Sequence, residues 1–270
     1  MPLKIDFNNQ LSNFTKFPTE LQCVNALINT LQSYYPYVKA KRVHGKISQF
    51  NTGNGRIQRE ICDIFLILRY SDHYRFSFIQ NKREVSHYSG LSNFNINAGQ
   101  HYFLVKKPRF SYNKKSYSLL QKGVYDTITA YSVFYKDSCG LYNFDFASAI
   151  SCICAKQNAF CCCNFTEKCN TNHYYTQVTH HNNNPKVDYV SLSNADEIES
   201  YPYFGEVIDF ADVRMREFKT LISDCAGTEM LDFLEMGNID NKDFITDYDD
   251  ISNSIQLIIK NIVAIDLRNL

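Results

Sequence analysis

Apolar residues recur at Leu21, Val24, Leu27, Ile28 and Leu31, the spacing of a helix with one buried face. This predicts a helix over 19–32, and Thr19 followed three residues later by Gln22 forms a capping box at its start. Downstream the period shortens. Residues 61–70 and 74–79 are dominated by Ile, Leu, Phe and Tyr and are parted by Ser-Asp-His, the signature of two adjacent strands joined as a hairpin. Turn residues at 33–38 and 52–55 punctuate the segment before them.

Beyond Lys82 the chain is polar and loop-like to about residue 97, and a helix with Gln100 near its start is then expected to run up to Pro108. Residues 116–123 and 124–135 read as strands, whereas the apolar spacing over 144–155 is that of a buried helix. The C-terminal third carries a strand at 203–210, a helix at 212–227, an acidic loop at 240–250 and an amphipathic ending at 252–265. No internal repeat is present. These elements predict an α/β fold: a central mixed sheet of about four or five strands, flanked by the helices carrying Glu20 and Gln100. A core over 1–150 is expected, followed by an α+β extension over 151–270 that belongs either to the same domain or to a second one.

Composition narrows the classes. The 270 residues are 44% hydrophobic and 21% charged, enough for a substantial core. Twenty-eight basic residues balance 28 acidic ones, so no overall basic field draws in nucleic acid and any such contact rests on local patches. No apolar run reaches the roughly 18–20 residues that span a bilayer, and the N-terminus lacks the layout of a signal peptide. A cytosolic protein with no membrane partner is expected. Its ten cysteines are then thiols or metal ligands rather than a disulfide framework.

The chemistry concentrates at the ends of the predicted hairpin. Asp63 opens one strand, and Gln80 and Lys82, which share parity and hence a face, close its partner. A carboxylate and an amide oxygen are hard ligands suited to Mg²⁺ or Mn²⁺, and an adjacent lysine orients water or offsets charge on a phosphate under attack. The structural alternative is an Asp63–Lys82 ion pair at the strand ends, worth about 0–1 kcal/mol on a surface.

Asp, strand, turn, then a strand ending in an acidic or amide residue, a spacer and Lys resembles the pattern of the PD-(D/E)xK, or restriction-endonuclease-like, nuclease superfamily. The resemblance covers roughly residues 15–120. It implies that Asp63 and Gln80 bind the metal, that Gln80 stands where most members carry Asp or Glu, and that Lys82 is the catalytic lysine. Members of the Mrr kind are similar in having Gln there. An acidic residue on the preceding helix is also implied, a place that Glu20 fits, with Glu60 as a rival. The function implied is that of a Mg²⁺-dependent endonuclease acting on DNA in bacterial antiviral defence or restriction. A homo-oligomer or a defence partner protein belongs to the same expectation.

Three basic clusters, at 39–46, 81–84 and 106–117, lie in the same half of the chain. The last interleaves cations with aromatics, as a surface that grips phosphates and stacks on bases does, and with Gln100 it nominates Lys106, Lys107, Arg109, Lys114 and Lys115. Acidic residues gather late, between 188 and 250. Cys161, Cys163, Cys169 and His173 form a second constellation that a structural zinc would accept, although paired C-x₂-C knuckles are missing and buried thiols are the competing reading. Phosphate-binding glycine motifs are absent. Three alternatives therefore stand beside a DNA endonuclease: an inactive member that only binds nucleic acid or a partner, an enzyme acting on RNA, and an interaction protein stabilised by zinc.

Overall fold

The computed structural model describes residues 3–43, 49–52, 55–58, 61–83, 93–95, 100, 103–104, 107–120, 129–137, 139–148, 186–188, 205–236 and 259–268. Helices α1 (Leu3–Leu11) and α2 (Glu20–Tyr34) come first, and the Thr19–Gln22 capping box closes the start of α2 as expected. Strands β1 (Val38–Arg42), β2 (Gln49–Thr52), β3 (Gly55–Gln58), β4 (Cys62–Arg69) and β5 (His73–Arg83) follow. The later elements are β6 (Asn93–Asn95), β7 (Phe110–Tyr112), β8 (Lys115–Tyr117), β9 (Thr129–Lys136), β10 (Tyr142–Ser148), β11 (Lys186–Asp188), β12 (Glu206–Asp209), α3 (Met215–Ala226), α4 (Thr228–Met236) and β13 (Ile259–Asp266).

Seven strands make one mixed sheet in the order β1-β13-β4-β5-β9-β10, with β12 also paired to β5. The expected hairpin is its centre: β4 and β5 are antiparallel from Ile64↔Ile79 to Arg69↔Tyr74, closed by the Tyr70 N–H donating to the His73 carbonyl at 3.0 Å. All eight residues of β4 are buried, which is why the stretch reads as a continuous apolar run. The strand β5 has two neighbours on its other edge. Its first half pairs antiparallel with β12, Phe76 opposite Glu206, and its second half pairs parallel with β9, Gln80 opposite Tyr131 and Lys82 opposite Val133.

Two cores flank the sheet. Ile64, Leu66, Leu68, Ile79, Val263 and Ile265 pack against Leu3, Phe7, Val24, Leu27 and Leu31 of α1 and α2. On the opposite face, Phe65, Ile67, Phe76, Phe78, Ile262 and Ala264 meet Phe218, Leu221 and Ile222 of α3, Met230 and Phe233 of α4, and Phe110 and Tyr117 of the β7–β8 hairpin. Each Val, Leu, Ile, Met or Phe side chain among these contributes about 1.5–3 kcal/mol when fully withdrawn from water.

Several elements depart from the sequence expectation. The segment from 144 is not the start of a helix: Tyr142, Phe144 and Phe146 alternate with polar neighbours and bury themselves from strand β10, paired to β9. The small apolar residues that follow hide this two-residue period. The C-terminal ending holds β13, which lies between β1 and β4, antiparallel to the first and parallel to the second. With β12 on β5, the C-terminal third thus supplies two strands to the main sheet. Helix α4, the β2–β3 hairpin across Thr52↔Gly55, and the short β6–β11 pair were not expected. Of the strand expected at 116–123, residues 116–117 belong to β8 and 118–120 are not strand, while 121–123, the C-terminal part of 144–155, the region 161–184 and the acidic loop at 240–250 lie outside the described residues.

Candidate functional site

Asp63 is the second residue of β4 and Gln80 the eighth of β5, one step beyond the Ile64↔Ile79 pair and so opposite one another. Both are only 2% exposed. The Gln80 Nε2 donates to Asp63 Oδ2, and the Asn81 backbone N–H donates to the same oxygen at 2.7 Å. From the neighbouring strand β13, Asn261 Nδ2 donates to the Asp63 carbonyl at 3.2 Å. The carboxylate is therefore held from β5 and the Asp63 backbone from β13.

Lys82 stands two residues beyond Gln80, opposite Val133, on the face that Phe78, Tyr131 and Val133 share. Asp63 has the parity of Phe65 and Ile67, residues of that same face. Asp63, Gln80 and Lys82 thus gather on one side at one end of the β4–β5 hairpin. Lys82 is partly exposed there, while Asp63 and Gln80 are buried.

Gln80 Oε1 is buried and has no hydrogen-bond partner among the described residues. An orphaned amide oxygen of this kind costs about 1–3 kcal/mol in a closed interior. An amide oxygen and a carboxylate are both hard donors of the kind Mg²⁺ takes, but it is Nε2, not Oε1, that faces Asp63 here. Glu20 is placed differently. It opens α2, which packs on the other face of the sheet, and the start of that helix meets the end of β5 where Arg83 Nη1 donates to the Pro18 carbonyl at 3.1 Å. Asp63 has the parity of the residues on the opposite face, and among the described residues no three His, Cys, Asp or Glu side chains converge. Its rival Glu60, and the cysteines 161, 163 and 169 with His173, lie outside the described residues.

The proposed phosphate-gripping residues divide. Gln100, with Phe103 and Leu104, is helical and buried, and the Phe103 ring lies 6.0 Å from that of Phe78, two residues before Gln80. Arg109 and Lys114 are exposed, Lys114 at the tip of the β7–β8 hairpin with φ +64°, and Lys106 lies outside the described residues. Lys115 is half exposed and pairs with Asp224 of α3 at 2.9 Å. Lys107, expected on the surface, is buried instead: its Nζ lies 3.3 Å from Glu206 of β12, which also takes Arg214 Nη1 at 3.1 Å. From the 39–46 cluster, Lys41 Nζ donates to the Ala226 carbonyl at the end of α3, a favourable place for a cation.

Sequence reasoning missed Asn81 and Asn261. Asn81 was visible as the spacer of Gln-x-Lys, but its part is played by the backbone N–H, which any residue other than proline provides. Asn261 carries no local signal. Two of the described thiols are withdrawn from chemistry: burial pushes both Cys23 and Cys225 up to about 12, so both stay protonated at neutral pH and neither is a ready nucleophile. No protein-family model, curated protein or solved structure matches this chain.

Proposed function

We propose that the chain is a metal-dependent endonuclease of the restriction-endonuclease-like kind, acting on DNA, with Asp63, Gln80 and Lys82 at its centre. The observation that carries the reading is the meeting of Asp63 with Gln80, with Lys82 two residues on and on the same face. Asp63 and Gln80 Oε1 would hold Mg²⁺ or Mn²⁺, which when bound polarises a phosphate and acidifies a bound water. Lys82, less buried than its two neighbours, holds the attacking water and offsets charge building on the phosphate oxygens. The Asn81 N–H and the Asn261 amide keep Asp63 fixed. Of the nominated cations, Arg109 and Lys114 are exposed and would be the ones to meet a polyanion. By the same resemblance, the setting we propose is bacterial defence.

Supercoiled plasmid incubated with and without Mg²⁺ tests this. The native chain nicks or linearises DNA only with the cation. Lys82→Ala lowers the rate by about 10²–10³-fold while leaving DNA binding nearly unchanged, and Asp63→Ala abolishes cleavage. Cleavage that persists in Asp63→Ala, or cleavage in EDTA, removes the assignment, and offering RNA in parallel decides the polymer. A second reading, a non-catalytic binder of nucleic acid, is favoured by one observation: Asp63 Oδ2 already accepts two N–H donors from within the protein.

A further inference from the structure

The amide of Gln80 lies in an unusual orientation for a residue next to a carboxylate at a cation site. Its Nε2 donates to Asp63 Oδ2, while its Oε1, buried with the rest of the side chain, has no partner among the described residues. A half-turn of the amide about its last side-chain bond exchanges the two ends. It would set Oε1 against the Asp63 carboxylate, where two oxygens repel unless a cation lies between them.

We propose that Gln80 is a cation-operated latch: its amide N–H closes on Asp63 when no divalent ion is bound, and turns to present Oε1 when one enters. This rests on the reading of Asp63 and Gln80 as the cation pair. A glutamate at this position would leave two carboxylates facing each other in the resting protein. Gln80 instead lets the site assemble without metal, held by its own hydrogen bond to Asp63 and by the Asn81 N–H. The consequence for binding is that each incoming cation must first displace a donor from Asp63. Divalent ion affinity is thereby lowered, and occupancy follows the free concentration of the ion.

Full-length Gln80→Glu, compared with the native chain, tests the latch through binding and stability rather than activity. Mn²⁺ binding by electron paramagnetic resonance is expected to be about tenfold to a hundredfold tighter in Gln80→Glu, the factor that corresponds to one hydrogen bond with a charged group. In EDTA at neutral pH, Gln80→Glu is expected to melt below the native chain and to recover on adding Mg²⁺. The Gln80 side-chain amide resonances of the native chain are expected to shift on titration with Mg²⁺. If Mn²⁺ binds both proteins equally and the Gln80 resonances do not move, the latch is wrong while the cation site stands. If Mn²⁺ binds neither protein, the latch and the cation site fall together.

Discussion

Arg214 grips Asp212 through Nε and Nη2, the latter at 2.6 Å, and the same guanidinium reaches Glu206, which also pairs with Lys107. The Arg214 hydrogen bond holds the Asp212 carboxyl below its ordinary value of 3.8, against a smaller opposing effect of burial. A carboxylate whose folded pKa is depressed adds stability that is complete above the unfolded value and is lost as pH falls through the folded one. Urea midpoints measured between about pH 6 and pH 2.5 should therefore drop below pH 3.8, and Asp212→Asn should flatten that part of the curve. Residue-level reading placed Asp63, Gln80 and Lys82 together at one end of the hairpin but expected the Lys107 of this network on the surface. Asp63, Gln80 and Lys82 were legible because they interrupt apolar runs at the ends of one hairpin, where parity alone fixes their face. Lys107 was not, because a basic cluster has the same composition whether its lysine meets water or a buried glutamate 99 residues away.

Elements were legible where a local signal and the tertiary context agree. Helix α2 combines a stripe of apolar residues with a complete capping box, so its start was readable to the residue. Strand β10 was misread because its seven residues lead into small apolar ones, and only its ladder with β9 declares it a strand. Strand β12 depends on a position no pattern highlights. Gly205, just before it, has φ +67°, and a Cβ placed there would lie 2.5 Å from the Phe76 carbonyl oxygen. Gly205→Ala should cost about 1–3 kcal/mol by pushing β12 away from β5. Denaturant unfolding gives the size of the effect. Hydrogen exchange at Ile208 reports whether the loss is centred on this ladder, and exchange unchanged there would argue against the account.

For the whole molecule, the α/β character was readable from the alternation of strand-like and helix-like periods, but not the order of the sheet. Strand order depends on which distant segments pair, and β13 meets β4 across almost two hundred positions, Asn261 Nδ2 reaching the Asp63 carbonyl at a separation of 198. That strand is central. Val263 is fully buried in the core beneath α1 and α2, so Val263→Asp places an unpaired charge there and should abolish the cooperative unfolding transition, whereas Val263→Ile should retain it. Circular dichroism on heating distinguishes the two. A cooperative melt for Val263→Asp would mean that β1 and β4 hold together without β13.

The position of β13 also sets a clock. Ribosomes add about 5–20 residues per second, so about 10–40 seconds separate the synthesis of Asp63 from that of Asn261. Throughout that interval the β4 edge destined for β13 stays unpaired and Asp63 lacks its third-strand support. A nascent chain still short of residue 266 cannot yet close the sheet on the outer side of β4, and Asp63 waits for its last backbone partner until the strand is complete.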